Sequence, residues 1–414
     1  MTTQFFKKSL FLRAIVFIIT VSFIFASLPA SIYAEVFVSD SLKPRAAGSS
    51  RRGADIASEL NERIIVTFSE VGKEDVALVG GKCANLGEML HIPGIFVPDG
   101  IALTTKAYQI HIDKGIVDID GQKMTLRQYI NKRLEGLDYN NTVELGKASR
   151  DIRSAMEKAK MPEEIERTIV EWYHKLGDNV FVAVRSSATA EDLPDASFAG
   201  QQETYLFKRG DQEVLDAVKY CWSSLFTPRA IFYRHENKID HSVAYLSVAI
   251  QMMVDSETSG VGFGVDVNYG MPRITVNAAH KLGEGVVSGT VTPDVHDYVY
   301  NVYTDEPTFY KKTMGSKLKK SVLKRDRSPT DREATEYVPT TEEERSHYAL
   351  TDEQGLVVAK AVKAINDYYK RYMDVEWAFD AQGKLWIVQA RSETIWNEQE
   401  KKYPNTVVNT VSEV

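Results

Sequence analysis

Cysteine is almost missing from this sequence: 414 residues contain two, Cys83 and Cys221. They stand far apart, which excludes a disulfide framework and any cysteine-based metal spacing, and fits a reducing compartment. None of the eight histidines clusters with Cys, Asp or Glu at ligand spacing. A GxSxG elbow and a catalytic Cys/His pattern are both lacking, which removes the commonest hydrolase nucleophiles. A GxxxxGK[ST] loop is lacking too, so this is not a P-loop protein. Positive charge is not in excess: the formal net charge is −7, which argues against a general nucleic-acid binder. No internal repeat or low-complexity tract appears.

What remains is an ordinary globular composition, 43% hydrophobic and 26% charged, long enough for two or three compact units. The N-terminus is the exception. Lys7, Lys8 and Arg13 precede the apolar run 14–28, and Ala34 follows as a cleavage-site candidate. Residues 1–34 therefore read as a signal-peptide-like or membrane-anchor segment. Residues 5–28 would span a membrane if their charges snorkelled. Basic residues flank the run on both sides, so orientation is undecided. A segment rich in Gly, Ser and Pro, 35–61, reads as a flexible linker.

Beyond the linker, strand-like and helix-like patterns mix. The segment 63–68 reads as a strand. VGGKCANLGEML (79–90) puts Gly80 and Gly81 ahead of a helical pattern. Apolar residues recur at helical spacing over about 123–178, suggesting two or three helices inserted between strands. Strand-like segments return from 245 onward. Residues 315–345 are charged and poorly periodic, as in a surface hairpin. The segment 352–372 is an amphipathic helix, with Val358, Ala361, Val362, Ile365, Tyr369 and Tyr372 as its inner stripe. The fold class expected is α+β.

Two segments carry chemistry. In the first, VAVRSSATAEDLPDASFAGQQETY (182–205), a buried-strand pattern delivers Arg185. Ser186, Ser187, Thr189, Ser197 and Gly200 follow in a pliable loop. Backbone N–H groups and hydroxyls in such a loop can surround phosphate oxygens, with a guanidinium at the base; an ordinary loop has the same composition. The second segment is a terminal hairpin, DVEWAFD and KLWIVQAR around AQGK. If Asp380 pairs with Leu385, Glu376 faces Gln389 and Asp374 faces Arg391. The opposite face then carries Val375, Trp377, Val388 and Ala390. A carboxylate beside an amide oxygen suits Mg²⁺, and Arg391 could take a terminal phosphate. A solvated face with cross-strand ion pairs is the alternative. Lys82 is a further cationic candidate or a plain helix-start lysine. The strand ending at Met253 and Val254 could offer backbone groups to an adenine, or be core. Glu284 in LGEG could touch a ribose or a metal, or sit in a turn.

These segments, with VPDGIALTT, SLFTPRAIFYR, LGEGVVSGTVTPD, KKTMGSK and KLWIVQARSET, resemble the N-terminal ATP-binding domain of the phosphoenolpyruvate synthase family. Pyruvate phosphate dikinase and rifampicin phosphotransferase share this domain type. The resemblance runs over about residues 62–396. It implies an ATP-grasp fold, with an N-terminal lobe over 62–252, a C-terminal lobe over 253–396 and a tail over 397–414. By resemblance, Lys82, Arg185 and Arg391 would be catalytic and hold phosphates, and Glu376 and Gln389 would ligate Mg²⁺. Asp374 would support the site, while Met253, Val254 and Glu284 would contact the nucleotide. The implied activity is transfer of phosphate from ATP to a histidine on a separate domain or subunit, on the way from pyruvate to phosphoenolpyruvate. An ATP-binding regulatory or adaptor protein is the alternative. His280 and Lys281 stand where the family usually has a Trp-Gly-like pair. A Gly-Gly-x-Thr-x-His segment is not found, so the phosphate acceptor is expected on another polypeptide. The ATP requirement leads to the expectation of a cytoplasmic protein, with or without a membrane anchor, and an exported one if the N-terminal segment is a cleaved signal.

Overall fold

The computed structural model describes residues 60, 62–189 and 203–397, with the backbone of 192–193 and 196–197. The apolar segment 1–34, nearly all of the linker, the tail beyond Asn397 and Gly200 lie outside the described residues. All described residues belong to one compact unit, within Arg51–Val414. Among the described residues no helix is long and apolar enough to cross a membrane.

The unit opens with β1 (Ile65–Thr67), helix α1 (Val76–Met89) and β2 (Gly100–Leu103). Next come α2 (Thr105–Lys114) and the hairpin of β3 (Ile116–Ile119) and β4 (Gln122–Thr125). Three helices follow: α3 (Leu126–Leu134), α4 (Thr142–Lys158) and α5 (Glu163–Leu176). Their starts are written locally. Thr125 and Gln128 form a capping box for α3, and the Asn141 side chain accepts from the N–H groups of Val143 and Glu144 at the start of α4. Then come β5 (Val182–Ala188), the two-residue strands β6 (Asp192–Leu193) and β7 (Ala196–Ser197), and β8 (Thr204–Lys208). Helices α6 (Asp211–Ser223) and α7 (Pro228–Glu236) lead to β9 (Leu246–Met252). Strands β1, β2, β9, β5 and β8, in that order, make an antiparallel five-stranded sheet.

A second antiparallel sheet holds β10 (Ser256–Phe263), β11 (Arg273–His280), β12 (Asp294–Tyr300) and β13 (Pro307–Thr313). A single turn of helix, α8 (Glu284–Val287), lies between β11 and β12. After the hairpin β14 (Lys319–Leu323) and β15 (Thr335–Pro339), short α9 (Glu342–Ser346) and α10 (Asp352–Tyr369) lead to β16 (Met373–Asp380) and β17 (Leu385–Ser392). Spatial order in this sheet is β13-β12-β11-β10-β16-β17.

Strand alternation decides what each face of the first sheet sees. Val182 and Val184 of β5, with Val248 and Ile250 of β9, enter a core shared with the helices between Thr105 and Ile231. Ala249 instead joins a second core, made with α1, α10 and residues Val276, Val375 and Ile387 of the second sheet. On that same side of the first sheet lie Arg185 and Gln251. Helix α1 is thus packed against both sheets. Gly80 inside it has φ +71, and a Cβ there would lie 2.2 Å from the Ser187 carbonyl oxygen, so only glycine fits this approach.

Three sequence expectations need correction. Ser186 and Ser187, expected in a pliable loop, are fully buried within β5, because the strand runs on past Arg185 to Ala188 and pairs with β9. The amphipathic helix stops at Tyr369, because Lys370 takes a left-handed φ of 54°. Tyr372 is therefore beyond the helix, while Val358, Ala361, Val362 and Ile365 are buried as the stripe requires. In the terminal hairpin, Asp374 pairs with Arg391 and Glu376 with Gln389, as expected. The register then slips: Trp377 faces Ile387 and Phe379, not Asp380, faces Leu385. Val388 is the extra residue of a β-bulge, and it leaves the apolar face.

Candidate active site

A cavity of about 550 Å³ lies between the two sheets. Ala183, Arg185 and Gln251 line it from the first sheet, and Ser259, Gly260 and Glu376 from the second. The strand exit at Met253 and Val254 forms one wall; Glu284 and Val287 of α8 form another. Gly260 is forced by crowding, since a Cβ there would meet the Asn277 carbonyl oxygen at 1.8 Å.

Arg185 organises the polar end. Its Nη2 donates to Gln389 Oε1 at 2.6 Å and lies 3.3 Å from Glu376 Oε2. Its Nη1 donates to the Val388 carbonyl at 3.0 Å and to Gln251 Oε1 at 3.4 Å. The bulge explains the third contact, because the unpaired residue of a bulge turns its carbonyl out of the ladder. Gln389 Nε2 donates in turn to Glu376 Oε1 at 3.2 Å. One guanidinium thus gathers a carboxylate, two amide oxygens and a main-chain carbonyl from both sheets.

The remaining predicted residues sit around this cluster. Asp374 and Arg391 pair at 3.4 Å, with the arginine side chain 54% exposed, and neither lines the cavity. Burial pushes the Asp374 carboxyl up to about 6, against the opposing pull of Arg391. Lys82 does not line the cavity; its Nζ donates to the Ser186 carbonyl at 3.2 Å, one residue beyond Arg185. Glu284 lines the cavity, and Ser321 Oγ donates to its carboxylate. Met253 and Val254 line it too, but Met253 N–H is already given to the Phe181 carbonyl at 2.9 Å.

Sequence reasoning missed Gln251 and the Val388 carbonyl. Gln251 is buried, and its Nε2 has no hydrogen-bond partner. The available signal was a lone amide in the apolar run YLSVAIQMMV, on the strand face opposite Val248 and Ile250. No sequence signal marks a bulge.

The oxygen donors can be tested against a divalent cation. The described residues hold no cluster of three or more His, Cys, Asp or Glu suited to a metal. Mg²⁺ needs few protein ligands, however: one or two hard oxygens, with waters and phosphates completing its shell. The Glu376 carboxylate and the Gln389 amide oxygen already converge on one positive charge. That donor set fits the ion.

A largely apolar cavity between two antiparallel sheets, polar at one end, has the usual form of a small-molecule site, and the mixed helices and antiparallel sheets agree with the α+β class expected. The chain belongs to the pyruvate phosphate dikinase AMP/ATP-binding domain family, whose profile matches residues 76–410. Over 343 aligned residues it is 40% identical to the probable phosphoenolpyruvate synthase of Methanothermobacter thermautotrophicus, covering 81% of this chain and 47% of that protein. It is also 40% identical to the phosphoenolpyruvate synthases of Pyrococcus furiosus and Synechocystis, again over 81% of this chain, and over 44% and 42% of those proteins. The chain spans about half the length of the curated relatives it matches.

Proposed function

We propose that the chain is an ATP-grasp phosphotransferase module. It binds MgATP between its two sheets and passes phosphate to a histidine on a separate domain or subunit, on the route from pyruvate to phosphoenolpyruvate. The division near residue 252 then separates the two lobes, with the helices of 123–178 as an insert in the first. The observation that carries the reading is Arg185 bridging to Glu376 and Gln389 across the cavity.

The adenine would lie along the Met253–Val254 wall and the ribose near Glu284. The phosphates would point toward Arg185, with Lys82 and Arg391 as further cations. Glu376 and Gln389 would hold Mg²⁺, and Asp374 would support them. When bound, the ion neutralises phosphate charge and orients the phosphates. The protein's part is positioning and electrostatic stabilisation, which carry most of a phosphoryl transfer. Arg185 would exchange its contacts with Glu376 and Gln389 for phosphate oxygens, and Gln251 and the Val388 carbonyl would keep its guanidinium aimed. An ATP requirement argues for work on the cytoplasmic side, and N-terminal sequencing of the mature protein tests whether residues 1–34 are cleaved.

The experiment is ATP consumption in the presence of a separately supplied phosphohistidine domain. Acid-labile phosphate on that domain is the expected product. Nucleotide binding with no transfer would replace this reading with an ATP-binding adaptor.

A further inference from the structure

The β14–β15 hairpin and its connecting loop contact both lobes. At its base, Ser321 Oγ donates to the Glu284 carboxylate, and the Ser321 carbonyl accepts from Leu282 N–H at 3.3 Å. A Cβ on Gly285 would come within 3.1 Å of Tyr337 in β15. The hairpin therefore backs the wall formed by 282–288. Its connecting loop reaches across and fastens to the first lobe. Arg327 Nη1 donates to the Phe207 carbonyl at 2.6 Å. Its Nη2 reaches both Glu213 carboxylate oxygens, Oε2 at 2.6 Å, and the two side chains are only 12% and 8% exposed. Lys208 Nζ donates to the Asp331 carbonyl at 2.5 Å, and Arg332 pairs with Glu157 while lying 4.1 Å over the Tyr220 ring.

The receiving surface is shaped for this contact. Phe207 lies within β8 yet has a left-handed φ of 51°, uncommon for a bulky residue, and its carbonyl accepts from Arg327. Its ring packs edge-on against Phe181, 5.4 Å between centroids, and Arg327 sits 5.7 Å from the Phe181 centroid. Phe181 in turn holds Met253 N–H, and Leu206, next to Phe207, lines the cavity. The latch is thus one residue away from the cavity wall at two points.

We propose that the β14–β15 hairpin is a strap joining the two lobes across the adenine-nucleotide cavity, with Arg327 as the positioning residue that latches it. Nucleotide enters and leaves when this latch opens. The proposal rests on the nucleotide reading above. A desolvated fork of this kind acts chiefly on dissociation rates.

The test is stopped-flow release of the fluorescent nucleotide mant-ATP, with Mg²⁺, from the full chain, well below its melting temperature. Arg327→Ala should release it about tenfold faster or more. Arg327→Lys should lie between parent and alanine, because a lysine can reach Glu213 but cannot fork onto the Phe207 carbonyl. Arg332→Ala, which removes an arginine 46% exposed from its pair with Glu157, should stay within about twofold of the parent. Release from Arg327→Ala within about twofold of the parent overturns the strap. Hydrogen exchange provides a second readout that needs no ligand. Arg327→Ala should raise exchange at 319–339 and also at 282–288, leaving β9 and β10 protected. Unchanged exchange at 282–288 overturns the strap. Failure of the parent protein to bind mant-ATP overturns the proposed function instead, and the strap then stands or falls on the exchange result.

Discussion

Replacing Arg185 with alanine separates a structural clamp from a phosphate ligand. The side chain makes contacts at 2.6, 3.0, 3.3 and 3.4 Å, to Gln389, Val388, Glu376 and Gln251. Hydrogen bonds to a charged group contribute about 1.5–3 kcal/mol each, and contacts made by one side chain do not add in full. Part of the loss is recovered. The Glu376 side chain is 25% exposed and its carboxylate can reach water, whereas Gln389 is buried. The expected net destabilisation is about 2 kcal/mol, a melting shift of about 3 °C for a unit of this size. Loss of a preorganised donor at the transferring phosphate costs about 10²–10³ in rate. The assay is phosphate transfer to a supplied phosphohistidine domain at a temperature where both proteins are fully folded, with melting followed by circular dichroism. Transfer should fall at least about a hundredfold while the fold survives. A variant that melts lower but transfers at the parent rate would make Arg185 a clamp alone and refute the site.

Glu376→Ala should also abolish transfer while leaving the protein folded, and its nucleotide affinity should lose most of its Mg²⁺ dependence in calorimetric titrations. Gly80→Ala combines a positive φ with a 2.2 Å approach to Ser187, so urea unfolding should show a loss above about 2 kcal/mol. Lys317→Met removes a buried partner 2.5 Å from Asp294, with both side chains at most 1% exposed, and should cost about 3–5 kcal/mol by the same measurement. His111 is buried, which pushes its imidazole down to about 4, below the 6.5 of an ordinary histidine. Between those pH values the unfolded chain takes up a proton that the folded chain refuses. Its contribution is therefore fully present above about pH 6.5 and lost as pH falls toward 4, a decline of up to about 3 kcal/mol. Urea titrations at pH 7 and 4.5 should show a smaller decline in His111→Phe, which keeps a ring against Trp222.

Much of the site was legible because strands have period two. Asp374, Glu376, Gln389 and Arg391 could be paired from spacing alone, and Arg185 could be placed on a buried strand, although that strand runs on through Ser186 and Ser187 to Ala188. The bulge at Val388 was not legible, because a regular period-two reading assumes unbroken register along the hairpin. Gln251 was hidden for another reason: one amide in an apolar strand reads as core until the partner sheet is known. The strap residues Arg327, Asp331 and Arg332 read as part of a charged surface hairpin, since their partners Glu213, Phe207, Lys208 and Glu157 lie more than a hundred positions earlier. Helix α10 was legible over its whole length, and only its C-terminal stop, set by the backbone of Lys370, went unseen.

The central claim is that MgATP lies between the two sheets with its phosphates at Arg185. A structure of the chain with Mg²⁺ and a non-hydrolysable ATP analogue tests it most directly. The account predicts the base against Met253 and Val254, the metal on Glu376 and Gln389, and the Arg185 guanidinium moved from those oxygens onto phosphate. An analogue bound elsewhere, or bound with Arg185 still held by Glu376 and Gln389 and no metal between them, would contradict it.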